Sequence, residues 1–118
     1  PDPDAALTEW LRRLVNPDQD RPMRCQEIAV VRASRKDVED TVGLLTEAEI
    51  PAVEVGRTTN EETLPDAVRV MTMHRAKGLE YRAVAVRDAS ALYARDDRRD
   101  RNLVYVSATR ARERLLVC

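Results

Sequence analysis

The chain has 118 residues, a formal net charge of −1 and two cysteines. A single domain of this length buries a core without disulfides or a structural metal. Lys and Arg total 20 against 21 for Asp and Glu, so a coat protein for nucleic acid is excluded and any basic surface must be local. Cys25 and Cys118 lie far apart, with one histidine and no CxxC pair, so we predict neither a zinc site nor a disulfide.

Localisation follows from the same counts. Reduced, isolated cysteines fit a cytoplasmic protein. No apolar run reaches the roughly 20 residues of a membrane span, and the first residues show no signal-peptide pattern. We therefore expect a soluble cytoplasmic domain with no membrane partner.

The first half of the chain alternates helix and strand patterns. Asp4 is placed to cap a first helix that Asn16-Pro17 ends. Its apolar residues recur at helical spacing: Leu7, Trp10, Leu11 and Leu14. Residues 27–31 (EIAVV) then predict a buried strand, and Ser34 is expected to cap a second helix that ends before Ile50-Pro51. The apolar stripe of that helix contains Val38, Val42 and Leu45.

The second half is richer in strand patterns. Short strands are expected at 52–55, 68–72 and 83–87, and the stretch GRTTNEETLPD at 56–66 has no apolar period and predicts an exposed loop. The strands are continuous apolar runs separated by helices. This order predicts an α/β fold with a parallel sheet covered on both faces.

A local excess of basic residues accompanies the strands at 68–72 and 83–87. Between residues 68 and 87 a single acidic residue, Glu80, faces five basic ones: Arg69, Arg75, Lys77, Arg82 and Arg87. Ligands of open α/β sheets bind beyond the carboxyl ends of the strands. The loop after 27–31 carries further basic residues at a helix N-terminus, so both loops are expected to face one anionic ligand. A solvated charged face is the alternative.

Two segments resemble motifs of a known family. TMHRAKGLEY, within 70–81, resembles motif V, and LVYVSATRARERL, whose core is 103–111, resembles motif VI of the UvrD/Rep-like superfamily 1 helicases. The stretch from 27 to 56 is similar to the region that precedes motif V in their second RecA-like motor domain. The resemblance implies a three-layer RecA-like (P-loop NTPase-like) α/β domain, incomplete relative to the full motor domain.

The resemblance also divides the chain. Residues 1–26 would form an N-terminal helix and loop, and 27–118 the motor domain, together one domain. LVYV at 103–106 has strand-forming residues inside a charged sequence that could extend a helix, and periodicity does not decide between them. With the resemblance, a helix is expected over 98–111 and a last strand at 114–118.

The family assigns nucleotide roles to three residues. In these helicases ATP binds between two RecA-like domains. The resemblance implies that Arg110 is an arginine finger reaching the γ-phosphate, a role in which lysine could not reproduce the planar fork. Glu80 would accept hydrogen bonds from the ribose, and Gly78 would bring backbone close to the nucleotide. Arg110 and Glu80 have plain alternatives, a surface ion pair for the first and pairing with Lys77 or Arg82 for the second.

The family also implies contacts to single-stranded DNA, which crosses both motor domains. Thr72 and His74 match residues that touch the DNA backbone, where a hydroxyl and an imidazole donate to phosphate without reading sequence. Arg32 is a weaker candidate because of its place after a strand. As alternatives, Thr72 is an ordinary strand residue and His74 is structural.

Some family features are absent from these residues. The chain has no GxxxxGK[ST] phosphate loop, no recognisable acidic strand-end motif for Mg²⁺ and no Gln-Asn-Tyr-Arg-Ser-type segment. We therefore expect no ATP hydrolysis by this chain alone and no metal site on it. ATP with Mg²⁺ would be held mainly by a phosphate-loop motor domain, in cis or in trans. Larger family members carry an accessory domain where 56–66 stands here.

The leading interpretation is thus the C-terminal motor domain of an ATP-dependent DNA helicase or translocase, acting in DNA repair, recombination or clearing of bound proteins, with repair or replication proteins as further partners. Two alternatives stay open. One is a non-catalytic module that keeps the motor fold and binds a protein such as a polymerase or a nuclease subunit. The other is a small doubly wound nucleotide-binding or regulatory domain unrelated to helicases.

Overall fold

The computed structural model describes residues 2–88 and 108–117, which form a five-stranded parallel sheet with helices. The strands are β1 (Ile28–Arg32), β2 (Ala52–Glu54), β3 (Val68–Thr72), β4 (Tyr81–Val86) and β5 (Ala111–Val117), in the spatial order β2-β3-β1-β4-β5. The helices are α1 (Pro3–Val15), α2 (Arg35–Glu47) and α3 (Met73–Ala76). Short 3-10 turns cover Cys25–Glu27 and Glu61–Thr63. The predicted α/β class with a parallel sheet is confirmed.

Helix α1 begins two residues earlier than the sequence predicts. Asp2, not Asp4, is the N-cap, and its carboxylate accepts a hydrogen bond from the Asp4 N–H at 3.0 Å. Pro3 occupies the first helical position, where its missing N–H costs nothing, and this explains the earlier start. Asp4 is thereby free to bind Arg87 at 3.0 Å, which ties the start of α1 to the end of β4.

One face of the sheet packs against α1 and α2. The core on this face joins apolar residues from both helices and three strands: Leu7, Leu11, Leu14, Ile28, Val30, Val38, Leu45, Val68, Val70, Ala83 and Ala85. Trp10 and Val42 are partly buried at its margin, as their helical stripes predict. Ser34 caps α2 as expected, since its hydroxyl accepts from the Asp37 N–H at 3.2 Å.

The other face is covered by α3 and the chain after β2. Its core consists of Ala29, Val31, Val55, Met71, Met73, Ala76, Tyr81, Val84 and Val86. Central strands that are buried on both faces favour apolar side chains at nearly every position, which is why β1 reads as a continuous apolar run. β3 is apolar except for Arg69 and Thr72 at its end, and the buried Arg69 is satisfied by backbone carbonyls. No described helix is long and apolar enough to span a membrane.

The C-terminal end of the sheet differs from the sequence prediction. β5 begins at Ala111, so the predicted helix does not extend to 111 and the strand starts three residues before 114. Arg112, Glu113 and Arg114 are exposed on this edge strand, whose backbone is fixed by pairing with β4. A charged run without apolar period favours no strand locally, and only the neighbouring strand specifies it. Residues 98–107 of the predicted helix, which include LVYV at 103–106, lie outside the described residues.

Candidate functional site

The predicted site residues fall into two groups at opposite ends of the sheet. Thr72 pairs in register with Arg32 at the carboxyl ends of β3 and β1. Tyr81 pairs with Ala111 at the amino ends of β4 and β5. Because all strands are parallel, the chain after Thr72 crosses back over the sheet before β4 begins. The two basic loops meet at the carboxyl edge, where Arg35 and His74 line one cavity, whereas the end of motif V returns to the amino edge at Tyr81.

A cavity of about 710 Å³ opens at the carboxyl edge, between the start of α2, β3 and the loop after β2. Its polar lining includes Arg35, Glu54, Arg57, Thr58, Thr72 and His74. The structure thus brings together Thr72 and His74, the two DNA candidates of motif V. His74 is exposed on α3, whereas Thr72 is half-buried at the end of β3.

Thr72 has a structural role that leaves part of its hydroxyl available. Its oxygen accepts a hydrogen bond from the Arg75 N–H at 3.3 Å and so caps α3. A hydroxyl has one donor proton in addition to its two acceptor lone pairs. Thr72 can therefore hold α3 in place and donate to an anion in the cavity at the same time.

Arg75 belongs to the local excess of basic residues, but its side chain stabilises the loop after β2. Its guanidinium donates to the carbonyl of Gly56 at 2.9 Å and to that of Thr59 at 3.3 Å. Further along the loop, Glu61 accepts a hydrogen bond from the Tyr81 hydroxyl. Burial and this bond raise the pKa of Tyr81, which stays protonated. The stretch 56–66 is exposed as predicted, but it is held against the motif V segment at two points.

Most other basic residues of the excess are also engaged within the protein. Arg69 is buried and donates to the carbonyls of Pro65 and Ala67, both at 2.7 Å. Arg82 pairs with Glu27 and Glu113, each at 3.0 Å, and Arg87 pairs with Asp4. Within the described part of the chain, Lys77 is the member of the excess without such a contact. Most arginines of the local excess thus stabilise the fold. Counting basic residues in the sequence therefore overestimates the number of cations available to bind an anion.

Arg32 lies at the carboxyl edge but is held by its neighbours. Its guanidinium binds the Asp88 carboxylate at 2.9 and 3.0 Å and the Thr41 hydroxyl at 2.9 Å, and 13% of its side chain is exposed. Burial alone would raise the pKa of Asp88, but hydrogen bonds from Arg32 and the Ala33 N–H hold it below its ordinary value. These contacts favour a structural role, and the DNA contact of Arg32 stays a prediction.

Gly78 and Glu80 lie on the segment that returns to the amino edge. Gly78 has a φ of 81°, a left-handed conformation that favours glycine, while a Cβ built there would meet no described atom within 4 Å. Glu80 is exposed. Arg82, one of its two alternative partners, is bound by Glu27 and Glu113 instead. Glu80 therefore stands at an open turn where a ligand hydroxyl could reach it.

Arg110 lies next to this turn. Its carbonyl accepts a hydrogen bond from the Tyr81 N–H at 2.9 Å, so the residue after Glu80 is bonded directly to Arg110. The Arg110 guanidinium is partly exposed and donates to the Thr109 hydroxyl at 3.0 Å. The structure thus joins motif V to the described end of motif VI and gathers the three nucleotide candidates. Among residues 2–88 and 108–117, no His, Cys, Asp and Glu side chains cluster as a metal site would require.

Comparison with known proteins agrees with this fold. The parallel α/β fold is similar to the C-terminal domain of a possible DNA helicase from Lactobacillus plantarum WCFS1, with a TM-score of 0.73 and 22% identity. The similarity covers 97% of this chain and 64% of that one, so this chain spans under two thirds of its relative. No curated protein matches.

The sequence also matches a protein family. Residues 67–118 match the UvrD-like helicase C-terminal domain. This segment contains β3, α3, β4, β5 and both motif segments, so it carries all the nucleotide candidates together with Thr72 and His74. The match confirms the resemblance found in the sequence over the segment from 67 to 118.

Proposed function

We propose that the chain is the C-terminal motor domain of an ATP-dependent DNA helicase or translocase, which needs a phosphate-loop domain to complete its ATP site. The observation that carries the proposal is the hydrogen bond from the Tyr81 N–H to the Arg110 carbonyl, which joins the two family motifs at one edge of the sheet. The family match over residues 67–118 supports the same function.

The amino edge would serve the nucleotide. Arg110 would reach the γ-phosphate and stabilise the charge that develops during phosphoryl transfer. Glu80 would accept a hydrogen bond from the ribose at the open turn formed by Gly78. Mg²⁺ would neutralise phosphate charge and would be held mainly by the phosphate-loop domain.

The carboxyl edge would serve single-stranded DNA. Thr72 and His74 line the same cavity and offer a hydroxyl and an imidazole as donors to backbone phosphates. Residues 73–80 connect this cavity to the amino edge, so one short segment would contact both proposed ligands. A shift of α3 or of the Gly78 turn upon hydrolysis would therefore displace the residues that contact DNA. A translocating motor requires such coupling between ATP hydrolysis and DNA contact.

We expect His74→Ala to weaken binding of a fluorescein-labelled oligo-dT about tenfold, because a hydrogen bond to a charged phosphate is lost. The salt slope of log K should also become shallower, by up to about 0.7 for one phosphate contact. Fluorescence anisotropy of the chain at several salt concentrations measures both quantities.

The control for this measurement is Arg13→Ala, on the exposed side of α1 across the sheet from α3. It removes a cation far from the cavity and should leave affinity and slope nearly unchanged. Wild-type affinity and slope in His74→Ala would make His74 structural. A chain that binds a protein partner but no oligo-dT even at low salt would favour the non-catalytic module.

A further inference from the structure

The loop Gly56–Thr59 forms one wall of the cavity that Thr72 and His74 line. We propose that Arg57 in this loop makes a further contact to a DNA backbone phosphate and that Arg75 is the residue that positions it. The proposal rests on the DNA-binding function proposed above and adds one binding residue and one positioning residue to it.

Arg57 is the cavity cation best placed to take an external anion. It is exposed, lines the cavity, and forms no ion pair with any described residue. Arg35, at the start of α2, is already near two carboxylates, Glu54 at 3.5 Å and Glu39 at 3.9 Å. Glu54 is the acidic residue among the described cavity lining, and Arg35 compensates its charge. Two uncompensated cations remain in the lining, Arg57 and Arg75, and Arg75 already donates to the carbonyls of the loop, so Arg57 is the one available to an external anion.

Arg75 fixes the backbone that carries Arg57. It binds the carbonyls on either side of Arg57 and Thr58, those of Gly56 and Thr59, while the Gly56 N–H donates to the Thr59 hydroxyl at 2.9 Å. The planar guanidinium is suited to holding two acceptors at once. Without these bonds the exposed loop would lose conformational restraint, and ordering it upon DNA binding would cost affinity.

The lining also indicates which part of a nucleic acid would bind. The side chains that line the cavity are threonines, arginines, one histidine, one glutamate and short apolar groups, with no Trp, Tyr or Phe among the described ones. Bases bind single-strand proteins by stacking on such aromatic rings, whereas phosphates need positive charge and hydroxyl donors. The contact is therefore to the sugar-phosphate backbone and should be independent of base sequence.

The first test compares Arg57→Ala, Arg57→Lys and the charge-matched control Arg13→Ala in the 118-residue chain. With labelled oligo-dT we expect Arg57→Ala to weaken binding about fivefold at low salt and to reduce the salt slope by about 0.7. Arg57→Lys should keep the slope, since it keeps the charge. Oligo-dA should give the same changes. Wild-type binding by Arg57→Ala would overturn the proposal.

The second test asks whether Arg75 acts through Arg57. Arg75→Ala should weaken binding about threefold in the wild-type background but hardly at all when Arg57 is already alanine. Thr59→Val removes the acceptor for the Gly56 N–H without touching Arg75 and should behave in the same way if Arg75→Ala fails to fold. Circular dichroism melts establish folding of each variant.

The outcomes separate this proposal from the proposed function. The positioning role of Arg75 would be overturned if Arg75→Ala weakened DNA binding equally in the wild-type and the Arg57→Ala backgrounds. The same holds for Thr59→Val where it replaces Arg75→Ala. Binding that requires His74 but is indifferent to Arg57 would overturn the phosphate contact alone. No binding of oligo-dT by the unaltered chain at low salt would overturn the proposed function and this proposal with it.

Discussion

In a protein that joins this chain to a phosphate-loop motor domain, Arg110→Ala is expected to lower DNA-stimulated ATP hydrolysis by about 10³-fold or more. The missing guanidinium would leave the charge on the transferring γ-phosphate without its donor in the transition state. Single-stranded DNA binding should be nearly unchanged, because Arg110 lies at the amino edge of the sheet and the DNA candidates at the carboxyl edge.

Two variants sharpen this result. Arg110→Lys should remain strongly impaired, since an ammonium group cannot reproduce the bidentate fork. Arg112→Ala removes an equal charge two residues away, from an exposed position on β5, and should retain most of the activity. A steady-state assay of phosphate release, with kcat and KM for ATP determined separately, measures all three. Unchanged turnover in Arg110→Ala would refute the arginine finger, and the isolated chain should be nearly inert in the same assay.

The second large effect concerns stability. Arg32→Met is expected to lower the free energy of unfolding by about 3 kcal/mol, because removing one partner of a largely buried ion pair leaves the other unpaired. The groups that would lose their partner are the Asp88 carboxylate and the Thr41 hydroxyl, both of which Arg32 binds at 2.9 Å. Urea denaturation followed by circular dichroism at pH 7 measures the change.

Asp88→Asn provides the matched partner for a double-mutant cycle. Asp88 has a φ of 67°, and asparagine tolerates this left-handed conformation, so the substitution removes charge without new backbone strain. The two substitutions together should cost less than their sum, because a neutral amide at this position leaves no buried charge for Arg32→Met to expose. Strict additivity would contradict the ion pair as the source of stability.

The same pair predicts a pH dependence. Because the folded pKa of Asp88 is lowered, its stabilising contribution is fully present above the unfolded pKa of about 3.9 and is lost as the pH falls through the folded value. Asp88→Asn should therefore lose less stability than wild type between about pH 4 and pH 2. The DNA salt slope of Arg32→Met at pH 7 separately tests Arg32 as a DNA ligand, since a lower slope would show a lost phosphate contact.

Local sequence patterns predicted most of the fold. α1, α2, β1 and β3 were found within two residues of their structural bounds, because amphipathic helices and doubly buried strands have periodicities set by the backbone itself. β5 was misplaced because its charged residues favour a strand only when β4 is beside them. The motif segments identified the nucleotide and DNA candidates, but no local pattern indicated that Arg75 would bind the carbonyls of Gly56 and Thr59.

By itself the sequence determined the fold class, the family resemblance and the identity of the candidate residues. The tertiary structure decided how they are distributed: Thr72 and His74 at the carboxyl edge with the cavity, Gly78, Glu80 and Arg110 together at the amino edge. It also decided which arginines stabilise the fold, since Arg69, Arg75 and Arg82 bind partners from 2 to 55 residues away. An arginine has the same charge whether it faces solvent or a carboxylate, and only the packing of distant segments determines which of these it meets.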